Sequence, residues 1–231
     1  MISENIARIR QRMVVACARA GRDPSEVALI AVSKTFPADM VRDAVRAGVA
    51  DIGENYVQEL VRKRAELDQE PVRWHFIGHL QSNKARHITP WVHMIHSVDS
   101  PGLAREIDRQ GMRAGRVIDV LVEVNTTGED TKFGLPAVQV AGFVRQLRGL
   151  DAIRVSGLMT IGPFLPDPEG SRPMFRRLRE LARVLAEAEQ PNVHMRHLSM
   201  GMTGDFEVAI EEGATMVRVG TAIFGTRPKP L

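Results

Sequence analysis

One lysine stands where an apolar strand is predicted to end, and this position suits a covalent reaction with an aldehyde. Lys34 follows the apolar residues 27–32 and shares the alternation of Ala28, Ile30 and Val32. If that face points into a barrel, the ammonium group is partly removed from water. Burial and a nearby positive charge both favour the neutral amine, which is the form that attacks an aldehyde. On position alone, a lysine that extends into solvent is an equally good interpretation.

Two glycine-rich loops near the C-terminus have the composition of a phosphate-binding site. Residues 199–204 (SMGMTG) and 220–225 (GTAIFG) each follow a predicted strand. Small residues let backbone N–H groups approach phosphate oxygens, and the hydroxyl groups of Ser199 and Thr221 would add two donors. Tight turns alone explain the glycines less well, because loops after the last two strands of a β/α barrel repeatedly bind phosphate.

Arg218 precedes the second of these loops, in the last predicted strand. In a closed barrel this strand lies beside the first one, so Arg218 and Lys34 would share the inner rim. A phosphorylated heteroaromatic aldehyde would then have its carbonyl group at Lys34, its phosphate at the loops and its ring nitrogen near Arg218. A guanidinium group only donates hydrogen bonds, so that nitrogen would stay unprotonated. The alternative for Arg218 is an ion pair with Glu207 or Glu211.

These groups can meet only if the ends of several strands converge, and the chain has the pattern of repeated β/α units. Eight strands are predicted, at residues 27–33, 50–52, 72–77, 94–98, 117–125, 153–159, 195–199 and 215–219. Eight is the number that closes a single parallel (β/α)8 TIM-type barrel of the α/β class, whose working residues lie at the C-terminal strand ends. An extra helix precedes the first strand, and Gly48, Gly111 and Gly213 are predicted to end helices.

Composition limits the class of protein. The 231 residues are 44% hydrophobic and 26% charged, which predicts one globular domain over residues 1–231. A single cysteine, Cys17, excludes an intramolecular disulfide, and no signal peptide or membrane-spanning run is found, so a cytoplasmic protein is expected. A net charge of +3 and 5% aromatic residues disfavour nucleic acid as a partner, and no membrane partner is expected.

The motifs, in their order along the chain, resemble those of a known family. Segments at residues 31–35 (AVSKT), 53–59 (GENYVQE), 75–84 (HFIGHLQSNK), 157–160 (GLMT), 198–202 (LSMGM) and 219–225 (VGTAIFG) are similar to those of the pyridoxal phosphate homeostasis protein family. The resemblance covers nearly the whole chain. It implies a barrel like the N-terminal domain of alanine racemase, with pyridoxal 5'-phosphate (PLP) bound to the lysine of the first motif and no firmly assigned catalytic reaction.

Six cofactor-binding residues are implied by this resemblance: Lys34, Asn55, Ser199, Arg218, Gly220 and Thr221. Lys34 would form the Schiff base, Asn55 would lie beside the cofactor ring and Arg218 would face the ring nitrogen. The other three would hold the phosphate. The expected function is to hold PLP and to contribute to intracellular PLP homeostasis without strong catalysis, and PLP-dependent apo-enzymes are possible recipients.

A PLP-dependent amino-acid racemase of low activity remains an alternative, because its barrel would share these features. Racemisation needs a base on each face of the substrate, and Lys34 can serve one face. The chain ends just after the eighth predicted strand, so no second domain is expected to supply the tyrosine base, and the one tyrosine, Tyr56, lies in the rim loop of Asn55. His79 could support weak proton transfer.

Two further interpretations belong to other classes. A Schiff-base aldolase or sugar-phosphate isomerase would need a carboxylate or a second lysine deep in the barrel, and Asp119 and Glu123 are the main charged residues there. A metal site is suggested by two histidine pairs, at positions 93 and 96 and at positions 194 and 197. Neither pair has a cysteine or glutamate that completes a ligand set, so structural histidine is the stronger interpretation.

Overall fold

Eight parallel strands close into a ring in the computed structural model, which describes residues 1–126, 133–163, 165–187 and 190–226. The strands are β1 (Ala28–Val32), β2 (Asp51–Glu54), β3 (Arg73–Phe76), β4 (Met94–Val98), β5 (Ile118–Asn125), β6 (Leu135–Pro136), β7 (Ile153–Met159), β8 (Val193–Ser199) and β9 (Met216–Val219). The two-residue β6 pairs with β5 outside the ring. The predicted parallel α/β barrel is confirmed.

The ring closes between its first and last strands. β1 pairs with β2 on one side and with β9 on the other, and the second pairing places Ile30 beside Arg218. β4 pairs with β5, and β5 continues to β7, so the remaining strands complete the circle. The prediction that the last strand lies beside the first is therefore confirmed. This pairing brings Arg218 close to the end of the barrel at which Lys34 lies.

Nine helices surround the ring within the described ranges: α1 (Ile2–Arg19), α2 (Ala38–Arg46), α3 (Val57–Glu66), α4 (Ser82–Ala85), α5 (Pro101–Ala114), α6 (Ala137–Gln146), α7 (Arg172–Ala186), α8 (Phe206–Glu211) and α9 (Thr221–Phe224). The extra helix α1 precedes the first strand as predicted, and it packs against α2, α8 and α9. Because α9 is a single turn, α1 supplies much of the apolar cover beside it. None of these helices has the length and apolarity that a membrane span requires.

Side chains alternate between two environments along the strands. The inside of the ring holds one apolar cluster, formed by Ala28, Ile30, Met94, Leu121, Met159 and Met216. Leu29 and Ala31, the alternate residues of β1, pack instead in the larger cluster that the helices share. The inward direction predicted for Ala28 and Ile30 is thus confirmed, and the same alternation leads to the rim of the barrel.

One predicted helix end is wrong. Gly48 and Gly213 do follow helices with φ of 84° and 99°, but Gly111 lies inside α5, and Gly115 with φ of 63° ends that helix. A Cβ atom at Gly111 would lie 2.8 Å from Cβ of Ala152 and 2.9 Å from the carbonyl oxygen of Arg116. Glycine is needed there for close packing of α5 against the chain around it, which a pattern of helix-ending glycines does not reveal.

Candidate functional site

A cavity of about 230 Å³ opens at the C-terminal ends of the barrel strands. It is lined by Val32, Lys34, Asn55, Ile77, Ile161, Met202, Thr203, Arg218, Gly220 and Thr221. Five of the six predicted cofactor-binding residues therefore meet in one place. The charged side chains among these ten are both cationic, so the cavity suits an anionic ligand.

Lys34 belongs to a tight turn whose backbone is held from several sides. The Ser33 carbonyl oxygen accepts hydrogen bonds from the Phe36 amide at 3.0 Å and from Nζ of Lys63 at 2.7 Å. The Thr35 amide donates to Oε2 of Glu59 at 2.8 Å, and Thr35 has a φ of 70°, which is unusual for a residue other than glycine. Such strained positions persist where surrounding contacts over-determine them, and here those contacts hold the backbone on both sides of Lys34.

The contacts around this turn come from a buried ion cluster behind it. Lys63 and Glu54 have no exposed side-chain surface, and Nζ of Lys63 lies 2.5 Å from Oε1 of Glu54 and 3.2 Å from Oε2 of Glu59. The Ser33 hydroxyl donates to the same oxygen of Glu54. Burial raises the pKa of the Glu54 carboxyl, against the opposing charge of Lys63. β2 extends through Glu54, and the Glu54 side chain packs against α3.

The loop that begins at Gly220 forms another part of the cavity wall. A Cβ atom on Gly220 would lie 3.2 Å from the Val32 carbonyl oxygen, so a side chain there would crowd the end of β1. The Thr221 hydroxyl donates to that of Thr203 at 3.3 Å. Thr203 was not predicted as a site residue, although it belongs to the glycine-rich segment 199–204. Its position in that segment is the sequence feature that could have identified it as a site residue.

Arg218 forms part of the cavity wall although only 4% of its surface is exposed. Its Nη1 donates to Oγ of Ser199 at 2.6 Å, and its Nη2 donates to the Thr160 carbonyl oxygen at 2.7 Å. Burial lowers the pKa of this guanidinium to about 10, against the opposing charges of Glu123 and Asp205, so it stays positively charged at neutral pH.

The alternative partners proposed for Arg218 are engaged elsewhere. Glu207 pairs with Arg12 at 2.7 Å, and Glu211 pairs with Arg172 at 2.6 Å. Ser199, by contrast, is fully buried behind Arg218 and does not line the cavity. The structure thus places Ser199 in contact with the guanidinium, whereas the sequence analysis expected it at the phosphate.

An unpartnered amide oxygen and two cationic side chains make the cavity fit a planar ring that carries a phosphate and an aldehyde. Oδ1 of Asn55 is buried and has no hydrogen-bond partner among the described residues. An amide oxygen left without a partner is costly when it is buried, and a ligand in the cavity could satisfy it. Lys34 and Arg218 supply the amine and the cation that the sequence analysis assigned to the carbonyl and the ring nitrogen.

The residues other than Lys34 that were considered for catalysis do not line this cavity. Tyr56 and His79 line a neighbouring groove of about 220 Å³, and Nδ1 of His79 lies 3.8 Å from Oδ2 of Asp99. Asp119, at the other end of the barrel, is held by Arg154 at 2.6 Å.

The second carboxylate that the sequence offered for catalysis, Glu123, is 4% exposed. Burial raises the pKa of this carboxyl to about 7, with Asp99 adding to the shift and Arg218 opposing it. Across the described ranges, no three His, Cys, Asp or Glu side chains gather where they could hold a metal ion.

Comparison with known proteins gives a consistent set of relatives. Residues 2–228 match the family model described as "Alanine racemase, N-terminal domain". The pyridoxal phosphate homeostasis protein of Aquifex aeolicus is 45% identical, with 97% of each chain covered, and that of Pseudomonas aeruginosa is 44% identical over 98% of this chain and 96% of its own. The solved structure of PipY from Synechococcus elongatus with PLP bound has a TM-score of 0.84 and 37% identity, covering 97% of this chain and all of that one.

Proposed function

The chain belongs to the pyridoxal phosphate homeostasis protein family, and from this premise we propose that it binds PLP as a Schiff base on Lys34. Its role is then to hold PLP and to contribute to intracellular PLP homeostasis, with PLP-dependent apo-enzymes as recipients. One observation carries the proposal. Lys34, Asn55, Arg218, Gly220 and Thr221, which lie far apart in the sequence, line a single cationic cavity.

The bound group supplies an aldehyde, and the chain supplies the amine. Lys34 would supply the primary amine that could join this aldehyde as a Schiff base, with loss of one water. The over-determined turn at Ser33 and Thr35 holds Lys34 towards the cavity before the ligand arrives, which lowers the ordering cost of binding. Asn55 offers its unpartnered oxygen beside the ring.

The remaining residues orient the ring and the phosphate. Gly220 permits close approach of the backbone, and the hydroxyl groups of Thr221 and Thr203 lie near enough together to donate to one phosphate. Arg218 would lie near the ring nitrogen and can only donate hydrogen bonds, so that nitrogen would stay unprotonated. An unprotonated ring withdraws electrons poorly, and the chain therefore lacks strong catalytic activity of its own.

Binding of PLP is expected to be at least about tenfold tighter than binding of pyridoxal, because the phosphate dianion adds hydrogen bonds to charged oxygens, each worth about 1.5–3 kcal/mol. Titration of the ligand-free protein with each aldehyde, followed by absorbance in the near ultraviolet and visible range, measures the two affinities. Thr221→Ala is expected to reduce the difference. Thr226→Ala removes an exposed hydroxyl that does not line the cavity and serves as the matched control. Equal affinity of the wild type for the two aldehydes would contradict the proposed phosphate site.

Turnover of common amino acids by racemisation or transamination is expected to remain far below about 1 per second, the lower range of ordinary enzymes. The physical reasons are that an unprotonated ring is a weak electron sink and that Tyr56 and His79 lie in a different groove. Racemase activity is measured by the loss of optical rotation, or by chromatography of the enantiomers, with PLP-saturated protein. A rate of ordinary enzyme magnitude would favour the racemase alternative over a PLP-holding role.

A further inference from the structure

A continuous chain of hydrogen bonds crosses the inside of the barrel and ends at the cavity. It begins at Oδ1 of Asp51, which lies 2.9 Å from Nε2 of His75. Nδ1 of His75 lies 2.9 Å from Nε2 of His96, and Nδ1 of His96 lies 2.9 Å from Oγ of Ser199. The chain ends where Arg218 donates to the same oxygen of Ser199 at 2.6 Å. The side chains of His75, His96 and Ser199 are all buried.

With neutral histidine rings, the chemistry of the two ends fixes the direction of these bonds. An ionised carboxylate can only accept and a guanidinium can only donate. Nε2 of His75 must therefore carry the hydrogen that Asp51 accepts, and in a neutral His75 the other nitrogen accepts from Nε2–H of His96. Nδ1 of His96 is then an acceptor, so the Ser199 hydroxyl donates to it. The single hydroxyl hydrogen of Ser199 is therefore donated to His96, inside the barrel.

The charges along this chain of hydrogen bonds favour the arrangement with neutral histidine rings. Asp51 is already paired with Arg73 through two bonds of 2.7 and 2.6 Å, so it does not require a cationic His75 for compensation. Although burial works against it, the hydrogen bonds from Arg73 and His75 hold the pKa of the Asp51 carboxyl well below its usual range. Burial, with His75 and Arg218 nearby, holds the pKa of His96 well below its usual value. His93 packs against His75 at a ring distance of 5.1 Å and adds no negative charge.

We propose that Ser199 is a positioning residue for Arg218 and not a donor to the ligand phosphate, because the chain from Asp51 takes up its proton and leaves its oxygen to accept from the guanidinium. This inference rests on the proposed function. Ser199 and the Thr160 carbonyl then hold Nη1 and Nη2 of Arg218, which lines the cavity. Ser199 acts on the ring end of the ligand through Arg218, and the phosphate is left to Gly220, Thr221 and their neighbours.

Two aldehydes and two variants separate these roles. Ser199→Ala is expected to weaken PLP and pyridoxal binding by the same factor, about tenfold or less, because the lost bond acts on the ligand only through Arg218. Thr221→Ala is expected to weaken PLP binding by a larger factor than pyridoxal binding. If Ser199→Ala weakens PLP selectively, as Thr221→Ala does, the inference is overturned while the proposed function stands. If wild type binds both aldehydes equally, the phosphate site of the proposed function fails.

Nitrogen-15 NMR of histidine-labelled wild-type protein tests the hydrogen-bond chain without any ligand. His75 and His96 are both expected as neutral rings protonated at Nε2, and His75→Gln and His96→Gln assign their signals among the seven histidines. A His96 ring protonated at Nδ1 would donate to Ser199 and free its hydroxyl for the ligand. That tautomer, or a cationic ring at either position, would overturn the inference.

Discussion

Replacing Lys63 by methionine is expected to remove about 3–5 kcal/mol from the free energy of unfolding, a large share of the total for a protein of this kind. Lys63 has no exposed surface, and its ammonium group contacts Glu54, Glu59 and the Ser33 carbonyl oxygen. Methionine has a similar shape but no charge, so Glu54 would remain buried without its cation. Chemical denaturation of wild type and variant, with the unfolding slope checked for constancy, measures the difference.

Arg62 provides the matched control on the same helix. It pairs with Glu66 at 3.4 Å and is 63% exposed, so Arg62→Met is expected to change stability by less than about 0.5 kcal/mol. A second variant keeps the test valid if Lys63→Met does not fold: removing both charges, in Lys63→Met with Glu54→Leu, is expected to recover much of the loss. If Lys63→Met is as stable as Arg62→Met, the view that this cluster holds the turn of Lys34 is contradicted.

The general architecture and most of the cavity could be predicted because both follow from local rules. Apolar runs spaced by amphipathic segments indicated the number of strands, and the strand-end rule indicated where to look for Lys34, Gly220 and Thr221. Ring closure alone placed Arg218 near Lys34, and the observed register of Ile30 beside Arg218 follows from that closure.

Other parts of the site depend on contacts between distant residues, which periodicity does not report. The histidine at position 75 was noted for its motif, but its bond to His96 depends on the spatial order of β3 and β4. Lys63 lies on an amphipathic helix among charged neighbours, and nothing in that pattern distinguishes a buried lysine from a solvated one. The group to which the Ser199 hydroxyl donates likewise depends on Asp51, at the far end of the barrel.

Lys34 is expected to be the attachment site of PLP, and its replacement should abolish covalent attachment altogether. The reason is chemical: forming the C=N bond needs a primary amine at the cavity wall, and Lys34 is the lysine among the lining residues. Lys34→Arg keeps a positive charge but cannot complete the reaction with the aldehyde. It is therefore expected to retain weaker, non-covalent binding of PLP, since the proposed phosphate contacts remain, whereas Lys34→Ala loses the charge as well.

Borohydride reduction of the PLP-loaded protein, followed by mass spectrometry of its peptides, tests this claim most directly. The chain has five lysines, of which Lys132 and Lys229 lie outside the described residues, so each possible site is distinguishable by its peptide. Lys84 lines the neighbouring groove and is the internal control. The expected result is a single reduced adduct on the peptide containing Lys34 and none in Lys34→Arg. An adduct on Lys84 or another lysine, or an undiminished adduct in Lys34→Arg, would contradict the proposed site.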